Sequence, residues 1–462
     1  MAKKKILLLS DDLRMSSGVG TMSREFVLGT AHHYDWVQIG GAIKHPDEGK
    51  VVDMASALKK ERGIDNGYLK VYPISGYGNP DLLRQIMEIE KPDAILHYTD
   101  PRFWEWLYQM EHELRMHIPI FYYNIWDDLP YPQWNEAFYE SSDLIMNISK
   151  QTVNIVDRVC QNKPRTDWDN TYIPHGINED EFFPISEGTK EFKKYSRWIK
   201  NVTKDKEYDF VLFYNARNIR RKMVGDLVLA WKEFNDKLTE EQRKKCLLLM
   251  HTQPKDPNGT DLPAVVQAVA PNTNVIFSDA KLDTEKLNYL YNLADCGILI
   301  SSNEGWGLST TESIMAGTPI IVNVTGGMQD QCGFKLKGEY LTEEHYKEVE
   351  SLHNYKIWEN NKDLTHGEWV KPVWPRTRSL MGSVPTPYIF DDRCDWEDVA
   401  NRIKEWYDIP REERKEAGLK GRVWAQNVAG LTGRKMSQRF IDHMDRGFEK
   451  WTPRQQYTMY KV

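Results

Sequence analysis

Two glutamates stand eight positions apart in SSNEGWGLSTTESIMAGTPIIV, residues 301–322, with Gly305, Trp306, Gly307 and Leu308 directly after the first. The preceding CGILIS reads as a strand and STTESIMAG as a helix, so SNEGWGL is the turn at the strand's carboxyl end. Amides left unpaired at a helix amino terminus favour an anion or sugar hydroxyls, and glycines let backbone approach a ligand closely. Glu304 therefore faces a ligand or is a plain loop acid. Glu312 also has two readings: a ligand contact, or the acid of a capping box Ser309-x-x-Glu312 that satisfies a backbone amide.

A second group of residues suits phosphate. In FYNARNIRRKM, Arg217 follows a strand and Lys222 lies five residues on, with Arg220 and Arg221 between them. Arginine grips phosphate oxygens through a planar fork and lysine acts as a point charge, so four cations at a strand end suit a diphosphate. The alternative is a solvated charge run, and the position at a strand end argues against it. In RMSSGVGTMSREF, Gly18 and Gly20 precede a helix as in a phosphate-approach loop. The third glycine of a dinucleotide fingerprint is missing, so a glycine-permitted turn explains them equally well.

The elements that must position these residues repeat in a strict order. ILLLS, WVQIGG, LKVYPI, DAILHY, IPIFYYNIW, DLIMNIS and NTYIP read as strands, separated by segments such as GNPDLLRQIMEIEKP with apolar residues at three- and four-residue spacing. The rhythm restarts with DFVLFYN, CLLLMH, NVIFS, CGILIS and TPIIVN. The expected architecture is α/β: two tandem Rossmann-like, doubly wound domains facing across a cleft, with ligands at the carboxyl ends of the strands. The first domain is expected over residues 1–180, a linker over 181–207 and the second domain over 208–435. Residues 335–395, rich in Trp, Pro and Gly, are expected as a long irregular insertion, and 436–462 as a tail.

A chain of 462 residues, 40% of them hydrophobic, can bury two such cores. The start MAKKKILLLSDD turns acidic after one short apolar run, and no run approaches a membrane span, so a cytoplasmic protein is expected. Cys160, Cys246, Cys296, Cys332 and Cys394 are scattered, which indicates neither a disulfide framework nor a structural metal. Net charge is −7, and residues 1–180 hold 19 Lys and Arg against 27 Asp and Glu, a poor surface for a polyanion.

Taken in order, these motifs resemble the GT-B glycosyltransferases, specifically the retaining family-4 type, over nearly the whole chain. The resemblance rests on the glycine loop after the first strand, IPHGIN, Arg217 with Lys222, the Glu-x7-Glu of EGWGLSTTE, AGTPIIV and TGGMQD. It implies transfer of a sugar from a nucleoside-diphosphate sugar to a hydroxyl acceptor with retention of anomeric configuration. Arg217 and Lys222 would neutralise the diphosphate. Glu304, with the amides of Gly305 to Leu308, would hold the donor sugar, and Glu312 the ribose. Gly18 and Gly20 would close over the phosphates, and the base would meet Ser278 to Leu282. No cofactor or metal is implied beyond the donor substrate itself.

The acceptor side departs from the family pattern, which often has a histidine where PIFYYNIWDD places Trp126. General-base or positioning work then falls to Asp127, with Asp128, His97 and Asp100 as further acceptor-side candidates. Each also has a structural reading, a cap for the aspartates and a core residue for His97. Asp167-Trp168-Asp169 would be a metal-binding DxD in the GT-A fold, and in so acidic a chain it arises by chance. The acceptor is a glycan, small molecule or protein; modified DNA bases and a non-catalytic nucleotide-sugar-binding role are the rival readings. The tail is expected to cross back onto the first domain.

Overall fold

The computed structural model describes residues 3–41, 47–347, 359 and 361–455, and the chain divides into two units. The first comprises Met1–Trp126, Tyr131–His175 and Gly433–Val462; the second comprises Asp127–Pro130 and Gly176–Thr432.

The first unit is built on eight strands: β1 (Lys4–Asp11), β2 (Tyr34–Gly41), β3 (Val52–Asp53), β4 (Leu69–Pro73), β5 (Ala94–Tyr98), β6 (Ile120–Asn124), β7 (Leu144–Asn147) and β8 (Asn170–Tyr172). They lie in the order β3-β4-β2-β1-β5-β6-β7-β8, parallel throughout except for β3 against β4. Ile6 to Leu9 of β1 are completely buried, as expected of a central strand covered on both faces. The order reverses between β1 and β5. The helix Gly433–Lys450 belongs to this unit and packs on the helix Gly18–Thr30, with the rings of Phe26 and Phe440 stacked at 4.7 Å. Asp445 anchors it further, accepting from Tyr34 Oη at 2.7 Å.

The second unit holds β9 (Phe210–Asn215), β10 (Cys246–His251), β11 (Val275–Ser278), β12 (Cys296–Leu299), β13 (Ile320–Asn323), β14 (Lys335–Leu336), β15 (Glu339–Tyr340), β16 (Leu364–Thr365), β17 (Val370–Val373), β18 (Thr377–Ser383) and β19 (Thr386–Arg393). Six of them form a sheet in the order β11-β10-β9-β12-β13-β17, parallel at every pairing. The order reverses between β9 and β12. Loops leaving neighbouring strands there diverge to opposite faces and leave a crevice at their carboxyl ends, the usual ligand position of a doubly wound sheet.

Two expectations change. Residues 181–207 are not a bare linker: they belong to the second unit and contain the helix Lys190–Thr203, capped by Thr189, whose Oγ1 accepts from Phe192 N at 3.1 Å. Residues 335–395 are not an irregular insertion. They supply β17 to the main sheet, the small antiparallel sheet β15-β14-β16 and the hairpin β18–β19, while 348–358 and 360 lie outside the described residues. The five cysteines are free thiols, four of them buried. Among the described residues no helix is long and apolar enough to cross a membrane.

Candidate active site

The loop between β12 and the helix Leu308–Met315 is held from several sides. Gly307, at φ +84°, is the residue from which the helix starts, a left-handed conformation that suits glycine. TGGMQD folds over this loop as a 3-10 turn, Gly326–Gln331, and its backbone comes so close that a Cβ on Gly326 would lie 2.1 Å from Glu304 O. Gly327 N donates to the same carbonyl at 3.0 Å. Trp306 is buried and donates from Nε1 to Thr311 Oγ1 at 2.8 Å, and Gln331 Nε2 donates to Trp306 O at 2.6 Å. These contacts fix the direction in which Glu304 leaves the loop.

Glu304 meets two cations from the loop after β9. Lys222 Nζ lies 2.5 Å from Oε1, and Arg221 Nη1 donates to Oε2 and, at 2.9 Å, to Asn303 O. Burial alone would push the Glu304 carboxyl up; Arg221 and Lys222 outweigh it and hold it at about 2, so it is a carboxylate at any ordinary pH. The run of four cations is divided by a tight turn, Arg220–Lys222, which ends at Met223 with φ +51°. Arg220 turns to Asp391, and Arg217 donates from Nε to Asp256 at 2.8 Å with 62% of its side chain exposed. The sequence presents Arg221 only as one of four cations for a diphosphate, not as a partner of Glu304, and the positions of Asp256 and Asp391 do not single them out.

Glu312 is not the acid of a capping box. The helix starts from Gly307 rather than from Ser309, which puts Glu312 past the first turn, and its Oε2 instead accepts from Tyr291 Oη at 2.5 Å and Asn215 Nδ2 at 3.4 Å. Burial raises its carboxyl to about 7 against those hydrogen bonds. Asn215 ends β9, so Glu312 stands at the same strand ends as Glu304. At the ends of β10 and β11, His251 Nδ1 and Ser278 Oγ are 3.0 Å apart.

Asp127 and Asp128 leave β6 but group with the second unit. Burial pushes the Asp127 carboxyl up, with Arg221 opposing and Glu304 reinforcing; Asp128 is raised by burial and by Asp127 and Asp392. The segment is tied to the hairpin β18–β19, where Phe390 N donates to Leu129 O at 2.7 Å. The same hairpin braces the Glu304 loop. Asp391 Oδ1 accepts from Ser302 Oγ at 3.2 Å and Asn303 Nδ2 at 3.3 Å. Asp392 is held bidentately by Arg378, at 2.5 and 2.9 Å, and accepts from Thr325 Oγ1 at 2.8 Å.

The remaining candidates lie in the first unit. Gly20 sits in the first turn of the helix Gly18–Thr30, where a Cβ would meet Met15 O at 2.7 Å, and its amide donates to Ser17 Oγ at 3.0 Å; Gly18 is exposed. His97 is fully buried, its Nδ1 2.6 Å from Tyr108 Oη and its ring stacked on Tyr122 at 5.1 Å, and burial holds it neutral, at about 3. That makes it a core residue rather than an acceptor-side group. Asp100 caps the short turn Pro101–Trp104 and pairs with Arg102. Trp126 is buried, with the Arg102 guanidinium over its ring at 5.4 Å. Asp167 pairs with Arg446 at 3.0 Å and Asp169 with Arg165 at 3.2 Å, so DxD does not gather into one site.

Residues 195–353 match the model of a family described as glycosyl transferases group 1. No curated protein sequence matches. Among solved structures, sucrose-phosphate synthase from Thermosynechococcus elongatus is similar at a TM-score of 0.65 and 16% identity, over 97% of this chain and 100% of that one. HepE from Anabaena, in complex with UDP and glucose, is similar at 0.61 and 12%, over 96% and 99%. An Escherichia coli protein described as trehalose-6-phosphate, bound with UDP-2-fluoro glucose, is similar at 0.59 and 12%, over 98% and 100%. At these identities the likeness speaks for the fold: two parallel-sheet α/β domains of GT-B type.

Proposed function

We propose that the chain is a glycosyltransferase that moves a sugar from a nucleoside-diphosphate sugar to a hydroxyl acceptor with retention of anomeric configuration, as a retaining family-4 enzyme does. The observation that carries this reading is the ionised Glu304, clamped by Arg221 and Lys222 where β9 and β12 diverge, inside the segment that matches the glycosyltransferase family. A carboxylate fixed in that way accepts hydrogen bonds from sugar hydroxyls without itself changing protonation. Arg217, with its exposed guanidinium, and Lys222 meet the diphosphate, and their attraction grows as the leaving group gains charge. Glu312 holds the ribose hydroxyls. The base meets Ser278 and its neighbours.

In the transfer, the bond from the anomeric carbon to the phosphate oxygen breaks and a bond to the acceptor oxygen forms on the same face. The acceptor's proton passes to the departing phosphate, so no strong base is required. Asp127, whose carboxyl is raised toward neutrality, orients the acceptor hydroxyl, with Asp128 and Trp126 beside it in sequence. The proposal asks for no metal.

The test is nucleoside-diphosphate release from a panel of UDP-, GDP- and ADP-sugars with sugar and small-molecule hydroxyl acceptors, in the presence of a chelator. UDP-sugars come first, because one structural neighbour is bound with UDP-2-fluoro glucose and another with UDP and glucose. Chelator-resistant release with an axial product from an axial donor supports the proposal. Release that depends on a divalent cation, or an inverted product, overturns it.

A further inference from the structure

A second pocket, of about 270 Å³, lies wholly in the first unit and shares no residue with the site above. Its walls come from the Asp167-Trp168-Asp169 loop, which the proposed transfer leaves unused, and from the end of the helix Gly433–Lys450 with the residues just after it. That last stretch is pinned in place: Trp451 N donates to Gly447 O at 2.9 Å and Arg454 N to Arg115 O at 2.9 Å.

The charges lining the pocket do not cancel. Arg115 is bound to Asp143 through Nε at 3.0 Å and Nη2 at 2.8 Å, and Arg165 to Asp169 at 3.2 Å and to Ser142 O at 2.7 Å. Arg115 also donates to Glu111 at 2.9 Å, and Glu111 in turn takes Arg454, so the arginines here are matched by carboxylates and form a neutral wall. Three lining charges remain, Lys163, Lys450 and Glu140, and none of them forms a side-chain ion pair among the described residues. Two cations against one anion leave one positive charge. Trp168 and Trp451, both half-buried, add the flat apolar surface on which the C–H face of a sugar ring packs, and Glu140 and Thr452 can meet hydroxyls.

We infer that this pocket binds a small sugar carrying one anionic group, with the anion between Lys163 and Lys450 and the ring against Trp168 and Trp451. It is a ligand site separate from donor binding, so it stands whether or not the transfer reaction does.

The experiment is titration calorimetry of the full chain with glucose 6-phosphate, glucose and inorganic phosphate. The chain is compared with the double variant Lys163→Ala/Lys450→Ala, with Trp168→Ala and with Arg217→Ala. The expected result is that glucose 6-phosphate binds and outcompetes both fragments. The double variant should weaken it by at least about tenfold through loss of two charge-assisted contacts, while Arg217→Ala leaves it unchanged. Trp168→Ala should weaken glucose 6-phosphate more than phosphate. Because the two lysines are exposed, their removal does not threaten folding. Three results overturn the inference: no binding of glucose 6-phosphate, binding untouched by the double variant, or equal affinity for phosphate alone.

Discussion

Lys222 Nζ stands 2.5 Å from Glu304 Oε1, so the loop after β9 and the loop after β12 are joined by one buried ion pair, to which Arg221 adds a second cation. Removing Glu304 leaves both cations unmatched, whereas removing Lys222 leaves Glu304 still paired with Arg221. Glu304→Gln should lower unfolding stability by about 3 kcal/mol and Lys222→Met by less. The double variant should regain much of that stability and no activity. Urea unfolding together with turnover separates the two effects; single variants as stable as the parent would show that the pair is not buried in solution.

Arg217 offers the opposite case. Its guanidinium is largely exposed and its partner is Asp256, so Arg217→Ala should cost less than about 1 kcal/mol of stability. Its loss should nevertheless reduce turnover by about a hundredfold, because the diphosphate loses a charge that counts most as the bond breaks. An unchanged rate would assign Arg217 to the surface alone.

Glu312 predicts a pH dependence with a definite sign. Its carboxyl is raised by burial from 4.5 to about 7, so the folded chain holds this proton more tightly than the unfolded chain. Its ionisation therefore opposes folding as pH rises from about 4.5 through about 7 and weighs fully above that. Glu312→Gln should melt higher than the parent at pH 8, with the gap closing toward pH 4.5, and should bind the donor less tightly. A melting difference that is flat across this range would contradict the assignment.

Arg378 tests the hairpin. Arg378 and Asp392 are each only 8% exposed in their side chains, and Asp392 connects β19 to Thr325 beside the turn that covers the Glu304 loop. Arg378→Ala should lower kcat more than it raises KM for the donor, with partial recovery in Arg378→Lys, which keeps the charge and loses the fork. Steady-state kinetics decides; full activity in the alanine variant would make the hairpin irrelevant to the site.

The two-sheet architecture was legible because nearly every strand of the two main sheets is a short apolar run between helical patterns, and the run at β1 is buried on both faces. β17 was not legible: it is four residues long and contains Pro372, tolerated because β17 is an edge strand. Glu304 and Glu312 were readable as a pair from the glycines and the strand-to-helix change around them. Their partners were not. Arg217, Arg220, Arg221 and Lys222 look alike in sequence, and a tight turn ending at the left-handed Met223 sends Arg220 to Asp391 and Arg221 with Lys222 to Glu304. Ser309-x-x-Glu312 mimicked a capping box because the actual helix start, Gly307, carries no side chain to advertise it.

The most direct test of sugar transfer from a nucleoside-diphosphate sugar is the melting temperature of the purified chain with UDP-, GDP- and ADP-sugars, beside Arg217→Ala. A ligand that binds only the folded state must raise it. The account predicts a rise with one class of donor that is lost in Arg217→Ala. No rise with any of the donors, or the same rise in the variant, would contradict it.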